Sequence, residues 1–197
     1  MVEPAFVEIG AGTTIGGYRL DQLVGQGGMG VVYRGENQQT GARVAVKLLT
    51  PELARQPGFR ERFVREARYA NSLNHPNVIE VYDAGEQDGV LYIAMEFVDG
   101  TDLKNLLARE GALDPRRAVR LLGQVAAALD VAHAQGLLHR DIKPGNIMIA
   151  AASRPGEEHC YLTDFGLSKN VSSDSIALTA QGEFVGTIDY TAPELVL

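Results

Sequence analysis

His139-Arg140-Asp141-Ile142-Lys143-Pro144-Gly145-Asn146 is the stretch that decides how the rest of the chain is read. It holds an Asp, a Lys and an Asn at i, i+2 and i+5, and Pro144 and Gly145 between them forbid a regular helix. The segment is therefore a shaped loop. A carboxylate, an ammonium and a carboxamide held together suit three linked tasks: accepting a proton from a hydroxyl, neutralising a phosphate and completing the shell of a hard cation.

Composition sets the bounds around that loop. A chain of 197 residues with 45% hydrophobic residues is long enough to bury a sizeable core. Its net charge of -7 argues against a nucleic-acid partner, which calls for a basic face. An anionic ligand would have to be met by local cations. The single cysteine, Cys160, excludes an internal disulfide framework and a cysteine metal cluster, fits a reducing cytoplasm, and reads as a small residue in a strand. No apolar run approaches the roughly 18 to 20 residues of a membrane span, and Glu3 and Glu8 stand where a secretion signal would be basic.

Along the chain, residues 1–17 read as a tail with at most a short strand. Strand patterns then flank the cluster Gly25-Gln26-Gly27-Gly28-Met29-Gly30, and Arg43 to Leu48 forms a further strand. A dinucleotide fold needs a helix to start inside such glycines, and a Walker A loop needs Lys-Ser or Lys-Thr directly after them. Here Val31-Val32-Tyr33 continues as strand, so the glycines form a hairpin tip, a flap whose amides can close over a triphosphate. A helix is predicted between Phe59 and Leu73, with Phe59, Phe63, Ala70 and Leu73 on one face. Glu66 falls on that inward stripe and needs a cation, for which Lys47 is the candidate, while Glu61 turns to solvent.

Val78 to Asp83 and Val90 to Ala94 read as a strand pair, and His75 as a structural cap. Asp102 to Arg109 is a short amphipathic segment. Asp114 then caps a long helix with Pro115 at its first position and Gly136 as its stop. Its apolar stripe is Ala118, Leu121, Leu122, Val125, Leu129 and Ala132, and His133 near its end is read as packed or capping. Two short strands, Ile147 to Ile149 and Tyr161 to Thr163, flank an exposed polar loop from Ala150 to His159.

These pieces resemble, in order, the motifs of eukaryotic-like protein kinases: a glycine loop, Val44-Ala45-Val46-Lys47, a helix glutamate, the H-R-D-x-x-x-x-N loop, Asp164-Phe165-Gly166, and Ala192-Pro193-Glu194. The resemblance implies an α+β, bilobal protein-kinase-like fold. Its N-lobe over 18–95 is an antiparallel β-sheet with one main helix. A hinge and mostly helical C-lobe, incomplete within this chain, occupy 96–197, with an exposed apolar underside.

By the same resemblance Asp141 orients and deprotonates the acceptor hydroxyl, Lys143 reaches the γ-phosphate, and Lys47, positioned by Glu66, holds the α- and β-phosphates. Asn146 and Asp164 hold Mg²⁺, with Mn²⁺ as the alternative. Gly25, Gln26, Gly27, Gly28, Met29 and Gly30 cover the ATP phosphates. Val32, Ala45 and Met148 sandwich adenine, Met95 is the gatekeeper, and the backbone of Glu96 and Val98 meets the adenine edge. Arg140 invites a phosphate from the activation segment, with Thr179 the favoured acceptor, and Thr187 contacts Asp141 and Lys143.

The subclass implied is the bacterial serine/threonine kinases, many of them membrane receptors. The implied partners are protein substrates with Ser or Thr acceptors and a second copy for trans-autophosphorylation, on the cytoplasmic side. The alternative is a nucleotide-binding but inactive fragment or interaction module.

Overall fold

The computed structural model describes residues 9–55, 58–151, 156–165 and 190, with backbone alone at 62, 66 and 68–71. Two compact units result, Met1–Arg60 with Tyr82–Phe97, and Glu61–Val81 with Val98–Leu197.

The first unit is built on a six-stranded sheet. Its strands are β1 (Thr14–Ile15), β2 (Tyr18–Gly27), β3 (Gly30–Asn37), β4 (Arg43–Leu49), β5 (Val81–Gln87) and β6 (Val90–Glu96), in the spatial order β1-β2-β3-β4-β6-β5. Alternation along β4 sends Val44, Val46 and Leu48 to a core face shared with Ile15, Tyr18, Leu20, Tyr33, Tyr92 and Ala94. Asp88 at φ 52 and Gly89 at φ 81 form the tight turn into β6, the left-handed pair that suits a two-residue hairpin. The short helix α1 (Pro51–Ala54) follows β4.

The stretch before Tyr18 does more than the expected tail. Besides contributing β1, it accepts the Tyr33 hydroxyl at the Ile9 carbonyl, 3.0 Å away, and Gly12 N donates to Leu20 O at 2.7 Å.

Helix α2 (Phe59–Asn71) buries Phe59, Phe63 and Ala67 at four-residue spacing, and Glu61 is exposed as expected. The following segment departs from expectation. The predicted strand from Val78 starts only at Val81, because Val78 bridges Leu162 in parallel. Leu162 N donates to Asn77 O at 2.8 Å, and Ile79 N donates to Leu162 O at 3.0 Å. The buried Asn77 amide donates to Gln124 Oε1 at 3.0 Å and to Cys160 O at 2.9 Å. His75 Nδ1 accepts from Asn77 N at 3.1 Å, the capping role expected of it.

In the second unit β7 (Gly100–Asp102), β8 (Ile147–Ala150) and β9 (Cys160–Leu162) form a three-stranded sheet. A Cβ on Gly100 would meet Ile149 O at 2.0 Å, so only glycine admits β7 beside β8. Asp102 caps α3 (Leu103–Glu110), its side chain accepting from Asn105 N at 2.8 Å. Asp114 caps α4 (Pro115–Ala134).

The buried stripe of α4 is Leu121, Val125, Ala128 and Ala132. It is rotated from the predicted one: Ala128 joins it, and Leu122 is 54% exposed beside Val119 at 70%. His133 is exposed, so it is not packed. Cys160 is fully buried, and that burial pushes its thiol up to about 11.

Candidate active site

The register of the first unit gathers several expected residues on one surface. Val32 pairs with Lys47, Lys47 with Ile93, and Ala45 with Met95. Cross-strand partners share a face, as do residues two apart, so Val32, Ala45, Lys47 and Met95 all lie opposite the core face. Ile93, which the sequence reading did not single out, joins them. Lys47 is 7% exposed. Glu66 lies on α2, with its side chain outside the described residues.

The glycine cluster forms the expected hairpin tip: Gly27 pairs with Gly30, and Gly28 and Met29 turn between them. Its glycines are not equivalent. A Cβ on Gly30, at φ 148, would strike Leu48 O at 1.9 Å, whereas a Cβ on Gly27 would meet nothing within 4 Å. Packing demands the first glycine and leaves the second without a structural reason. Gln26 pairs with Val31, and Gly25 with Val32. Val24, next to Gly25, is 49% exposed, an apolar side chain beside this surface that the sequence reading also passed over.

Glu96 closes β6 opposite Val44. Val98 lies beyond the strand and takes no backbone hydrogen bond among the described residues.

In the second unit His139 to Asn146 forms a loop closed by a single 3₁₀ turn, Pro144–Asn146. Asp141 Oδ2 accepts from Lys143 Nζ at 2.7 Å and from Asn146 Nδ2 at 2.9 Å. Asn146 Nδ2 donates also to the Asp141 carbonyl at 2.8 Å, which fixes which way the buried amide points. Its Oδ1, and Oδ1 of Asp141, take no hydrogen bond among the described residues.

Thr163 ties this loop to the end of β9: its N and Oγ1 both donate to Asn146 O, at 3.0 and 3.3 Å. Asp164 follows directly. Met148, on β8, lies on the less buried side of that strand.

His139, 2% exposed, sets the frame of the loop. Asp141 N donates to its Nδ1 at 3.3 Å, so its Nε2 carries the proton donated to Thr163 O at 2.7 Å. Burial holds its pKa below the usual imidazole value, against the opposing pull of the Thr163 carbonyl and of Asp164 and Asp141. Phe165 packs on the ring with centroids 4.7 Å apart.

Arg140 at φ 66 and Asp164 at φ 62 both adopt left-handed backbone. Such residues cost on the order of 1 to 3 kcal/mol each and persist where their surroundings hold them. Here the His139 and Thr163 bonds do so. Arg140 is exposed. Gly166, Thr179, Thr187 and Ala192-Pro193-Glu194 lie outside the described residues.

Residues 18–197 match the protein kinase domain family. The chain belongs to that family. Among curated proteins, this kinase domain is 46% identical over 183 residues to serine/threonine-protein kinase PknH of Mycobacterium bovis, covering 93% of this chain and 30% of that protein. It is 43% identical over 189 residues to PknJ of Mycobacterium tuberculosis, covering 96% and 31%. The chain thus spans about a third of the length of these relatives.

Among solved structures, the PknI kinase domain of Mycobacterium tuberculosis aligns with a TM-score of 0.71 at 39% identity, over 81% of this chain and 63% of that one. Rad53 in complex with AMP-PNP aligns with a TM-score of 0.72 at 29% identity, over 91% and 42%. The protein kinase fold class expected from the motifs is therefore the fold of this chain. No helix among the described residues is long and apolar enough to cross a membrane.

Proposed function

We propose that this kinase domain transfers the γ-phosphoryl group of ATP to serine or threonine hydroxyls of protein substrates. The observation that carries the reading is the Asp141 carboxylate, held at Oδ2 by Lys143 and Asn146, with no hydrogen bond at Oδ1 among the described residues. An oxygen oriented in this way is placed to take the proton of an incoming hydroxyl. The hydroxyl oxygen bonds to the γ-phosphorus, the bond to the bridging oxygen of ADP breaks, and the proton passes to Asp141.

Lys143 offers its ammonium to the γ-phosphoryl oxygens, and Lys47, with Glu66, to the α- and β-phosphates. The amides from Gly25 to Gly30 cover them, which accounts for a Gly27 that packing does not require. Val32, Ala45 and Met148 hold adenine, joined by Val24 and Ile93. Met95 bounds that surface, and Glu96 and Val98 supply backbone groups. Asn146 Oδ1, which takes no hydrogen bond among the described residues, and the Asp164 carboxylate are hard oxygens that would fit Mg²⁺. When bound, Mg²⁺ neutralises charge on the phosphates.

We assign Arg140 to receive a phosphate placed on Thr179 by a second copy, and Thr187, by its place in the family's motif order, to act with Asp141 and Lys143. The enzyme works on the cytoplasmic side, where ATP is supplied. No observation favours the inactive nucleotide-binding alternative.

Radiolabel transfer from ATP to a generic protein substrate tests the reading, with fluorescent-nucleotide binding measured alongside. Transfer that is lost in Asp141→Ala while nucleotide binding persists is the expected result. Binding of ATP without any transfer would refute it.

A further inference from the structure

Strand β9 is three residues long and stands at the edge of its sheet, with β8 on one side only. Cys160 and Leu162 are both 0% exposed, so each backbone group on the outer edge must find a partner inside the protein. The partners come from a helix side chain and from the turn after α2. Cys160 N donates to Gln124 Oε1 at 2.9 Å, and Cys160 O accepts from Asn77 Nδ2 at 2.9 Å. Leu162 N donates to Asn77 O at 2.8 Å, and Leu162 O accepts from Ile79 N at 3.0 Å.

The two carboxamides also hold each other. Asn77 Nδ2 donates to Gln124 Oε1 at 3.0 Å, and Gln124 Nε2 donates to Glu158 O at 3.0 Å. Asn77 is 8% exposed, and Gln124 stands on α4 beside the buried Val125. These bonds admit β9 in one register. A slip of one residue, about 3.3 Å, would withdraw the Cys160 and Leu162 groups from this edge and turn every following side chain to the other face. Past Leu162 the chain runs into Thr163, bonded to Asn146 O and to His139 Nε2, and then into Asp164.

We propose that Asn77 and Gln124 are positioning residues for Asp164, fixing the register of β9 and through it the affinity of the site for Mg²⁺. The proposal rests on the metal role given to Asp164 in the kinase reading above. Neither residue belongs to the loop from His139 to Asn146 or to the nucleotide surface. Their loss acts through the strand, so it weakens the joint hold of Asp164 and Asn146 on a cation far more than it weakens the hold on the nucleotide.

Three variants of the full chain test this. Asn77→Ser withdraws the donor to Cys160 O and Gln124, and Gln124→Met withdraws the acceptor from Cys160 N and Asn77 at similar volume. Ala126→Gly, at an exposed position of α4, lowers stability through helix propensity and touches none of these bonds. Binding of a fluorescent ATP analogue is titrated with Mg²⁺, after melting curves have shown which variants are folded. In Asn77→Ser and Gln124→Met the Mg²⁺ midpoint should rise about fivefold, less than the roughly 10- to 100-fold typical of groups bonded directly to a metal ligand. Affinity for the analogue in EDTA should stay within about twofold, and Ala126→Gly should leave the midpoint in place. Hydrogen exchange without nucleotide or metal gives a second reading: the Cys160 and Leu162 amides should exchange about tenfold faster in both β9 variants.

An unmoved midpoint in a folded Asn77→Ser or Gln124→Met, an equal shift in Ala126→Gly, or an equal loss of affinity in EDTA would each overturn the proposal. If the parent chain bound Mg²⁺ and nucleotide without transferring phosphate, and the variants still shifted the midpoint, the positioning role would stand and the kinase reading would fail. A parent chain that bound no nucleotide would overturn both.

Discussion

His139 Nε2 donates to the carbonyl oxygen of Thr163 at 2.7 Å, and this bond joins the loop from His139 to Asn146 to the strand end that precedes Asp164. Two segments 24 residues apart in sequence are thereby set by one neutral imidazole. Its Nδ1 is already occupied by the Asp141 amide, so the proton must sit on Nε2. Protonating the ring would break the Asp141 contact and place a charge in a buried site.

Stability should therefore fall on mild acidification. The folded-state pKa of His139 lies below its unfolded value of about 6.5, owing to burial. As pH drops through about 6.5 the unfolded chain takes up a proton that the folded chain refuses, and stability declines by at most about 1.4 kcal/mol per pH unit. The decline ends once pH passes the folded pKa. Denaturant titrations between pH 5 and 8 should show this slope, and His139→Gln should flatten it.

Asn146 tests the polarity of the loop. Its Nδ2 lies 2.9 Å from Asp141 Oδ2, so Asn146→Asp sets two carboxylates against each other. Like charges at that distance raise the pKa of one of them. The acidic limb of the kcat/KM profile should move to higher pH, and kcat at neutral pH should fall by more than tenfold. An unmoved limb would mean that Asp141 is not the titrating base.

The motifs were legible because each is local: a loop broken by Pro144, a strand carrying Lys47, and a helix framed by Asp114 and Gly136. Long-range pairing was not. Val78 has the composition of a strand residue in the sheet of β5, yet its partner is Leu162, 84 positions away. Nothing in its neighbours announces that choice. Leu122 looked like core because it sits on a wide apolar face of α4, and helical period alone does not say which edge of such a face is covered. Thr163 escaped notice because its two shorter bonds, through N and O, use backbone atoms that any residue type supplies.

The residues before Tyr18 should prove part of the domain. Ile15 is only 4% exposed and Ile9 packs on the same core. Gly16 N donates to Gln87 Oε1 at 2.8 Å. Burying one such side chain contributes about 1.5 to 3 kcal/mol, so a chain starting at Tyr18 should melt roughly 5 to 10 °C lower. Tyr33→Phe, which removes only the hydroxyl bond to Ile9 O at 3.0 Å, should cost about 1 kcal/mol. Equal thermal stability of the full and shortened chains would show that the strap contributes nothing.

Gly27 and Gly30 separate function from packing within one turn. Gly30→Ala forces a Cβ to within 1.9 Å of the Leu48 carbonyl at a left-handed φ of 148. The β3–β4 pairing must open to admit it, and a loss of at least about 2 kcal/mol in stability is expected. Gly27→Ala places its Cβ where nothing lies within 4 Å, so stability should stay within about 0.5 kcal/mol of the parent. The proposed phosphate contact needs the Gly27 backbone to approach the nucleotide, and a side chain there obstructs it. KM for ATP should rise severalfold in Gly27→Ala at unchanged melting temperature. If ATP affinity were untouched while Gly30→Ala alone was impaired, the hairpin would be a turn and not a phosphate cover.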